Sequence, residues 1–65
     1  MSKSYTSAEI RGQITSRQHE IEEIALRCLG SGFPDAADEL AAASAAMTRA
    51  KLRVQQASVA REGES

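Results

Sequence analysis

The sequence has few of the residues from which catalytic and metal sites are built. Its 65 residues include one cysteine, one histidine, one tyrosine, one phenylalanine and no tryptophan. A lone cysteine, Cys28, excludes an intramolecular disulfide and the paired spacings of zinc sites. His19 has no Glu-x-x-His pattern around it, and no His or Asn is arranged to activate the Cys28 thiol. We therefore predict no catalytic residue, no metal site and no cofactor, and we expect a binding protein that is not an enzyme.

Long apolar segments are also absent. No run approaches the roughly 18 apolar residues of a membrane span, and the N-terminus lacks the apolar region of a secretory signal. A single unpaired cysteine suits a reducing compartment. These features favour a soluble, cytoplasmic protein that has no membrane partner.

The apolar residues that remain are small. They make up 42% of the chain, but nearly half of them are alanine, which buries little surface. A chain of this length forms one domain at most, with a core that only marginally offsets chain entropy. We therefore expect additional chains to contribute to its stability.

The first half of the chain has the pattern of one amphipathic helix. Thr6 and Glu9 have the S/T-x-x-E spacing of a capping box, which predicts a helix over residues 7–29. Gly30 is then expected to be the C-cap. The apolar stripe of this helix consists of Ile10, Ile14, Ile21, Ile24 and Cys28.

A second helix is predicted over residues 35–60, after a turn at 30–34 that contains two glycines and the only proline. Together the two segments predict an all-α fold, an antiparallel helical hairpin over residues 1–61, followed by a disordered tail at 62–65. The apolar stripe of helix 2 consists of Leu40, Ala43, Met47, Ala50, Val54 and Ala57.

A second apolar stripe predicts assembly into a homo-oligomeric helical bundle. It lies opposite the main stripe, and one hairpin cannot cover both. The alternative is that the alanines only raise helix propensity on an exposed surface. The residues expected at the oligomer interface are Leu26, Leu29, Ala45, Leu52 and Val59.

Charge is segregated along the predicted hairpin, although the net charge is only −1. Folding the chain at residues 30–34 gathers basic residues in the half with the chain ends and acidic residues in the half with the turn. A basic end attracts phosphates, nucleic acid or an acidic partner. The acidic half would repel a long polyanion such as RNA, whereas a small anion avoids it. The basic residues are Lys3, Arg11, Arg17, Arg49, Lys51, Arg53 and Arg61.

Several of these residues are candidates for anion binding. Arg49 and Arg53 lie one helical turn apart, a like-charged pair that an anion between them would stabilise. Arg17 interrupts the stripe of helix 1; either its head reaches water or Glu20, or it meets an anion at an oligomer seam. Tyr5 precedes the cap, where it could staple the helix entry, stack on a base, or do both. The predicted ligand-binding residues are Tyr5, Arg11, Arg17, Thr48, Arg49 and Arg53.

The segments "YTSAEI" and "PDAADELAAASAAMTRAKLRVQQASVAR" resemble the anti-CBASS and anti-Thoeris hairpin sponges encoded by phages. That family has an aromatic residue before an acidic helix start and a second helix rich in small residues after a Pro-Asp turn. The resemblance implies a homo-oligomer in the cytoplasm of an infected bacterium that captures cyclic-nucleotide immune signals without turning them over. Tyr5 would stack on a base, and Arg or Thr side chains would hold phosphate. The alternative is an interaction module that binds a protein or RNA partner through its helix faces.

Overall fold

The computed structural model describes residues 4–64, which form two α-helices packed against each other as a hairpin. Helix α1 spans Ser7–Gly30 and helix α2 spans Pro34–Glu64. The hairpin is a rod with dimensions of 52 × 24 × 15 Å. The predicted all-α hairpin is therefore confirmed, while Lys3 and Ser65 lie outside the described residues. Within the described part of the chain, neither helix combines the length and the apolar character needed to cross a membrane.

The start of α1 is set by the Thr6 side chain. Thr6 is the N-cap, with extended backbone, and its Oγ1 accepts a hydrogen bond from the Glu9 N–H at 3.1 Å. The Thr6 hydroxyl in turn donates to Glu9 Oε1 at 3.1 Å. The side chain thus satisfies one of the N–H groups that a helix start leaves unpaired.

The end of α1 depends on Gly32 instead of Gly30. Ser31 is the C-cap, and Gly32 has φ +87°, a left-handed conformation that other residues rarely adopt. The Gly32 N–H donates to Leu29 O at 3.3 Å, and the Phe33 N–H donates to Cys28 O at 2.8 Å. This is the Schellman pattern, in which a glycine follows the C-cap. The prediction of Gly30 as C-cap was wrong, because the left-handed residue is needed two positions later.

Helix α2 starts one residue before the predicted position and continues past the predicted end. Pro34 opens it, since a proline has no N–H to leave unpaired at the first helical position. The helix then continues through Glu64, so the segment predicted as a tail is helical up to that residue. No proline interrupts this stretch, and the cost of Gly63 within a helix is only about 1 kcal/mol.

The two helices meet along one row of residues from each, at alternating steps of three and four. The predicted stripes were partly wrong: Ile24, Ala50 and Ala57 are exposed. Polar residues occupy several positions of the row along which the helices meet. The apolar pattern of the sequence therefore pointed to some residues beside that row. The row is Ser7, Arg11, Ile14, Gln18, Ile21, Ala25 and Cys28 on α1, and Ala37, Leu40, Ser44, Met47, Lys51, Val54 and Ser58 on α2, and Ile10, Thr15 and Ala43 are half-buried beside it.

The layer between the helices is thin. Ala37, at 4% exposure, is the buried hydrophobic residue of the described chain, and no described side chain is completely buried. The other apolar residues of the row remain half-buried. Both broad faces of the rod are therefore exposed to solvent. Folding of one chain removes little apolar surface from water.

A buried glutamine links the helices at the centre of the rod. The Gln18 side chain is 9% exposed. Its Nε2 donates to Ser44 O at 2.9 Å, to Ser44 Oγ at 3.2 Å and to Thr48 Oγ1 at 2.6 Å. Lys51 Nζ donates to Thr15 Oγ1 at 3.3 Å. These bonds set the register, with Gln18 level with residues 44–48 and Thr15 level with Lys51.

The two glycines of the turn predict opposite effects on stability. Gly32→Ala should lower the free energy of unfolding by about 1–2 kcal/mol, because alanine is strained in the left-handed region. Gly30→Ala should raise it by about 0.5–1 kcal/mol, since Gly30 is helical and an added Cβ meets open space. Urea unfolding at one fixed chain concentration measures both. A larger loss at Gly30 than at Gly32 would contradict the cap assignment.

The Gln18 link predicts a loss of stability when the amide is removed. Gln18→Ala should lower the free energy of unfolding by about 2 kcal/mol, since each buried hydrogen bond contributes about 1 kcal/mol net. Gln13→Ala is the control, because Gln13 is exposed on the same helix. Chemical denaturation of both variants checks the difference, and equal stabilities would show that the Gln18 bonds contribute nothing.

Candidate ligand pocket at the open end

The six predicted ligand-binding residues do not come together in one place. Arg11 and Thr48 line a groove on one broad face, whereas Arg17 lines a groove with Met47. Arg49 and Arg53 are exposed and line none of the grooves described here. They lie away from α1 because the row that faces α1 runs through Met47, Lys51 and Val54.

The two broad faces have different linings, and we name them by their residues. The leucine face carries Leu26, Leu29 and Leu52, and its grooves include Thr15 and Thr48. The isoleucine face carries Ile10, Arg17 and Ile24, which recur every seven residues on α1. On α2 the isoleucine face carries Met47, Val54 and Arg61, at the same interval.

Arg17 extends along the isoleucine face to an acidic neighbour on its own helix. Its Nη1 donates to Glu20 Oε2 at 3.1 Å and to Glu20 Oε1 at 3.3 Å, with both side chains exposed. The head thus reaches Glu20, one of the two outcomes predicted from the sequence. The interrupted stripe position belongs to Gln18, which lies four residues after Ile14 and three before Ile21. An exposed ion pair of this kind contributes well under about 1 kcal/mol.

The basic groove on the leucine face contains two half-buried cations, Arg11 and Lys51. It has a volume of about 420 Å³, and no carboxylate is among its lining residues. Thr15 Oγ1 donates to Arg11 O at 2.9 Å and accepts from Lys51, so the local hydroxyl is already paired. Arg11 Nε donates to Ser7 O at 3.4 Å. The groove therefore presents positive charge beside threonine hydroxyls that are already hydrogen-bonded.

A separate pocket lies on the isoleucine face at the open end of the hairpin, where the first turn of α1 lies beside the last turns of α2. It has a volume of about 330 Å³. The Thr6 cap holds Tyr5 immediately before α1, and Arg61 lies one helical turn after Ala57 on α2. Tyr5 and Ile10 line this pocket together, as expected for a hydrophobic staple at the helix start. Its lining residues are Tyr5, Thr6, Ser7, Ile10, Val54, Ala57, Ser58 and Arg61.

The pocket combines an aromatic ring, a guanidinium group and hydroxyl groups over an apolar floor. Ser7 Oγ is buried and has no hydrogen-bond partner among the described residues. Leaving a buried hydroxyl unpaired costs about 1–3 kcal/mol, a cost that a ligand accepting or donating there would remove. No carboxylate is among the lining residues. The arrangement suits a flat ligand that carries negative charge.

Of the eight residues that line this pocket, only Tyr5 was predicted to bind a ligand; the polar residues that were missed are Thr6, Ser7, Ser58 and Arg61. Arg61 was counted among the basic residues of the open end but was not assigned to a site. Pairing the helices in antiparallel order places Ser7 opposite Ser58, a signal that was present in the sequence. Arg49 and Arg53 were predicted instead, because their spacing of one turn can be recognised on a single helix.

The residues with catalytic potential are not assembled into a site. Cys28 is half-buried near the turn, and His19 is exposed near the centre of the rod. Nine positions of helix separate them, about 13 Å at about 1.5 Å per residue. Among residues 4–64, no group of three or more His, Cys, Asp or Glu side chains is placed to hold a metal ion.

Comparison with known proteins identifies no relative of this chain. No family model matches the chain, and neither a curated protein nor a solved structure matches it. Functional inference must therefore start from the geometry of the hairpin itself.

Proposed function

We propose that the chain is a non-enzymatic binding protein that self-associates and holds a small nucleotide-like anion in its open-end pocket. The observation that carries this proposal is that Tyr5 and Arg61 line the same pocket. They come from the two ends of the chain and line one pocket with the unpaired Ser7 hydroxyl. An aromatic ring and a guanidinium group are the two groups most useful for a base and a phosphate.

The energetics of such a site are favourable for a nucleotide. Stacking of a base on an aromatic side chain contributes about 1–3 kcal/mol. An arginine forms charge-assisted, often bidentate hydrogen bonds with phosphate. The pocket volume of about 330 Å³ lies at the small end of the range for small-molecule sites, about 300–1,000 Å³. It suits one nucleotide unit, with the rest of a cyclic oligonucleotide outside the pocket.

Self-association is supported by the apolar surface that one hairpin leaves exposed. The side chains of this surface are between 53% and 69% exposed at Leu26, Leu29, Leu52 and Val59. Ala45, seven residues before Leu52 on α2, is exposed as well. Clustered exposed apolar residues of this kind mark interaction surfaces. A two-helix layer without a completely buried side chain gains stability when a partner covers such a face.

The resemblance to the hairpin sponges of phages supplies the biological setting of the proposal. In that setting the oligomer captures cyclic-nucleotide immune signals in the cytoplasm of an infected bacterium. Capture without turnover requires affinity and no reactive group at the ligand. The side chains that line the pocket offer a ring, hydroxyls and a guanidinium, with neither a histidine nor a carboxylate to act as a general base.

The pocket predicts which side chains a nucleotide needs. Arg61→Gln should weaken binding of a cyclic dinucleotide or trinucleotide by roughly 10- to 100-fold, through loss of a charge-assisted bond to phosphate. Tyr5→Leu keeps an apolar residue at the staple position but removes stacking, so it should weaken binding by roughly tenfold. Calorimetric titration against a panel of cyclic nucleotides measures both. The wild-type protein should also melt at a higher temperature with ligand.

Arg49→Gln is the matched control, because Arg49 is a basic residue of the same helix that lies outside the pocket. It should leave nucleotide affinity unchanged. If Arg49→Gln abolishes binding and Arg61→Gln does not, the ligand lies on the outer surface of α2 and the pocket assignment is wrong. Absence of binding at millimolar nucleotide, together with steeply salt-dependent binding of an RNA oligonucleotide, would instead identify RNA as the partner.

A further inference from the structure

The basic groove of the leucine face brings together two half-buried cations from different helices. Arg11 lies on α1 and Lys51 lies on α2, and both belong to the row along which the helices meet. The other arginines among residues 4–64 are exposed. The groove has a volume of about 420 Å³. Its lining residues are Arg11, Thr15, Thr48, Lys51, Leu52 and Gln55.

Most charged N–H groups of this groove have no acceptor among the described residues. A guanidinium group carries five N–H donors and an ammonium group carries three. Arg11 donates its Nε–H to Ser7 O at 3.4 Å, and Lys51 donates one N–H to Thr15 Oγ1 at 3.3 Å. Four donors of Arg11 and two of Lys51 remain. Neither cation forms an ion pair with a described residue.

The hydrogen bonds of the two cations place their charged groups near each other. Arg11 Nε contacts Ser7 O. Lys51 Nζ contacts Thr15 Oγ1, and this hydroxyl donates to Arg11 O at 2.9 Å. The two carbonyls are four residues apart, which is about 6 Å along α1. A phosphate group that forms charge-assisted bonds of about 2.8 Å on both sides spans a gap of this size.

Carboxylates lie away from the groove, and none is among its lining residues. On the leucine face of α1 the next acid is Glu22, seven residues after Thr15 and about 10 Å further along the helix. Glu9 comes two residues before Arg11, which places it about 200° around α1 from Arg11. The two cations of the groove are therefore not neutralised by a described acid.

We propose that the basic groove is a second anion site, which binds a phosphate group between Arg11 and Lys51. A phosphate with two negative charges matches the two cations. Its oxygens can accept a bidentate pair of bonds from the guanidinium and a further bond from the ammonium. A carboxylate has one charge and two oxygens, so it is matched less well. This site goes beyond the proposed function, because the nucleotide lies in the open-end pocket on the isoleucine face.

The size of the groove favours an organic phosphate as the ligand. Its volume of about 420 Å³ falls within the range of small-molecule sites, about 300–1,000 Å³, and exceeds the needs of one phosphate group. Gln55 offers an amide donor beside the cations, and Leu52 offers an apolar edge. The remainder of a phosphorylated small molecule can therefore lie along the groove.

Titration of inorganic phosphate, followed by the amide NMR shifts of the full chain, locates the anion. Ionic strength is held constant with chloride as the balancing ion. Phosphate should cause saturable shifts of the amides in residues 11–15 and 48–55, whereas chloride should not. Saturable shifts confined to residues 5–10 and 57–61 would place the anion in the open-end pocket and overturn the proposal. Absence of saturable shifts at high millimolar phosphate would overturn it as well.

Removal of single charges identifies the residues that bind. Arg11→Gln and Lys51→Gln keep a hydrogen-bond donor but lose a charge, so each should weaken phosphate binding by roughly tenfold. Lys51→Arg keeps the charge and should retain binding. Arg49→Gln and Arg53→Gln are the matched controls, because these exposed residues of α2 lie outside the groove. An equal loss in all four glutamine variants would show attraction to the whole basic half and overturn the site.

A comparison of ligands distinguishes the two sources of the phosphate group. Ribose 5-phosphate should bind several-fold more tightly than inorganic phosphate if the ligand is an organic phosphate. Equal affinities would identify the free ion as the ligand. Both results support the site when Arg11→Gln and Lys51→Gln weaken binding. Binding of ribose 5-phosphate that is unchanged in these two variants would overturn it.

The phosphate site and the open-end pocket can fail independently. Arg61→Gln should weaken nucleotide binding and leave phosphate binding at the groove unchanged, whereas Lys51→Gln should do the reverse. Loss of the phosphate result alone overturns this inference and leaves the proposed function standing. Leu52 also belongs to the apolar surface of the proposed self-association, so all titrations use one chain concentration. Sedimentation at that concentration measures the assembly state in which each affinity is determined.

Discussion

The hydrogen bonds of the Gln18 amide are the constraint on which the rest of the hairpin depends. An amide buried between two helices needs partners, and Ser44 and Thr48 supply them in the register that the hairpin adopts. The same register brings Ser7 opposite Ser58 and Tyr5 into one pocket with Arg61. The hydrogen bonds that fix the position of the pocket thus lie at the centre of the rod and not in the pocket.

The thin layer between the helices explains why polar residues are tolerated there. Half-buried positions keep contact with water. Arg11, Lys51 and Ser58 can therefore occupy the row without the free-energy cost of removing a polar group from water completely. The same thinness limits the apolar area that one chain buries. Further large apolar side chains, Leu26, Leu29 and Leu52, lie exposed on the leucine face.

Local signals in the sequence predicted the fold well. The Thr6 cap and the succession of helix, turn and helix need only neighbouring residues, and the structure contains them. The details that failed depend on packing across the hairpin. Apolar periodicity selected Ala50 and Ala57 because the true row contains Lys51 and Ser58. Choosing Gly30 over Gly32 failed because both glycines suit a turn, and only the backbone conformation distinguishes them.

The pocket could not be predicted from one helix at a time, since it is built from the first turn of α1 and the last turns of α2. Helix ends are the least stable parts of a hairpin, so its side chains are held less firmly than the Gln18 link. A ligand that joins Tyr5 to Arg61 would tie the two ends together and stabilise both. Such a ligand would connect the helices at the open end, as the chain itself does through the turn at the other end. In the proposed function, ligand binding and the order of the helix ends are therefore one equilibrium.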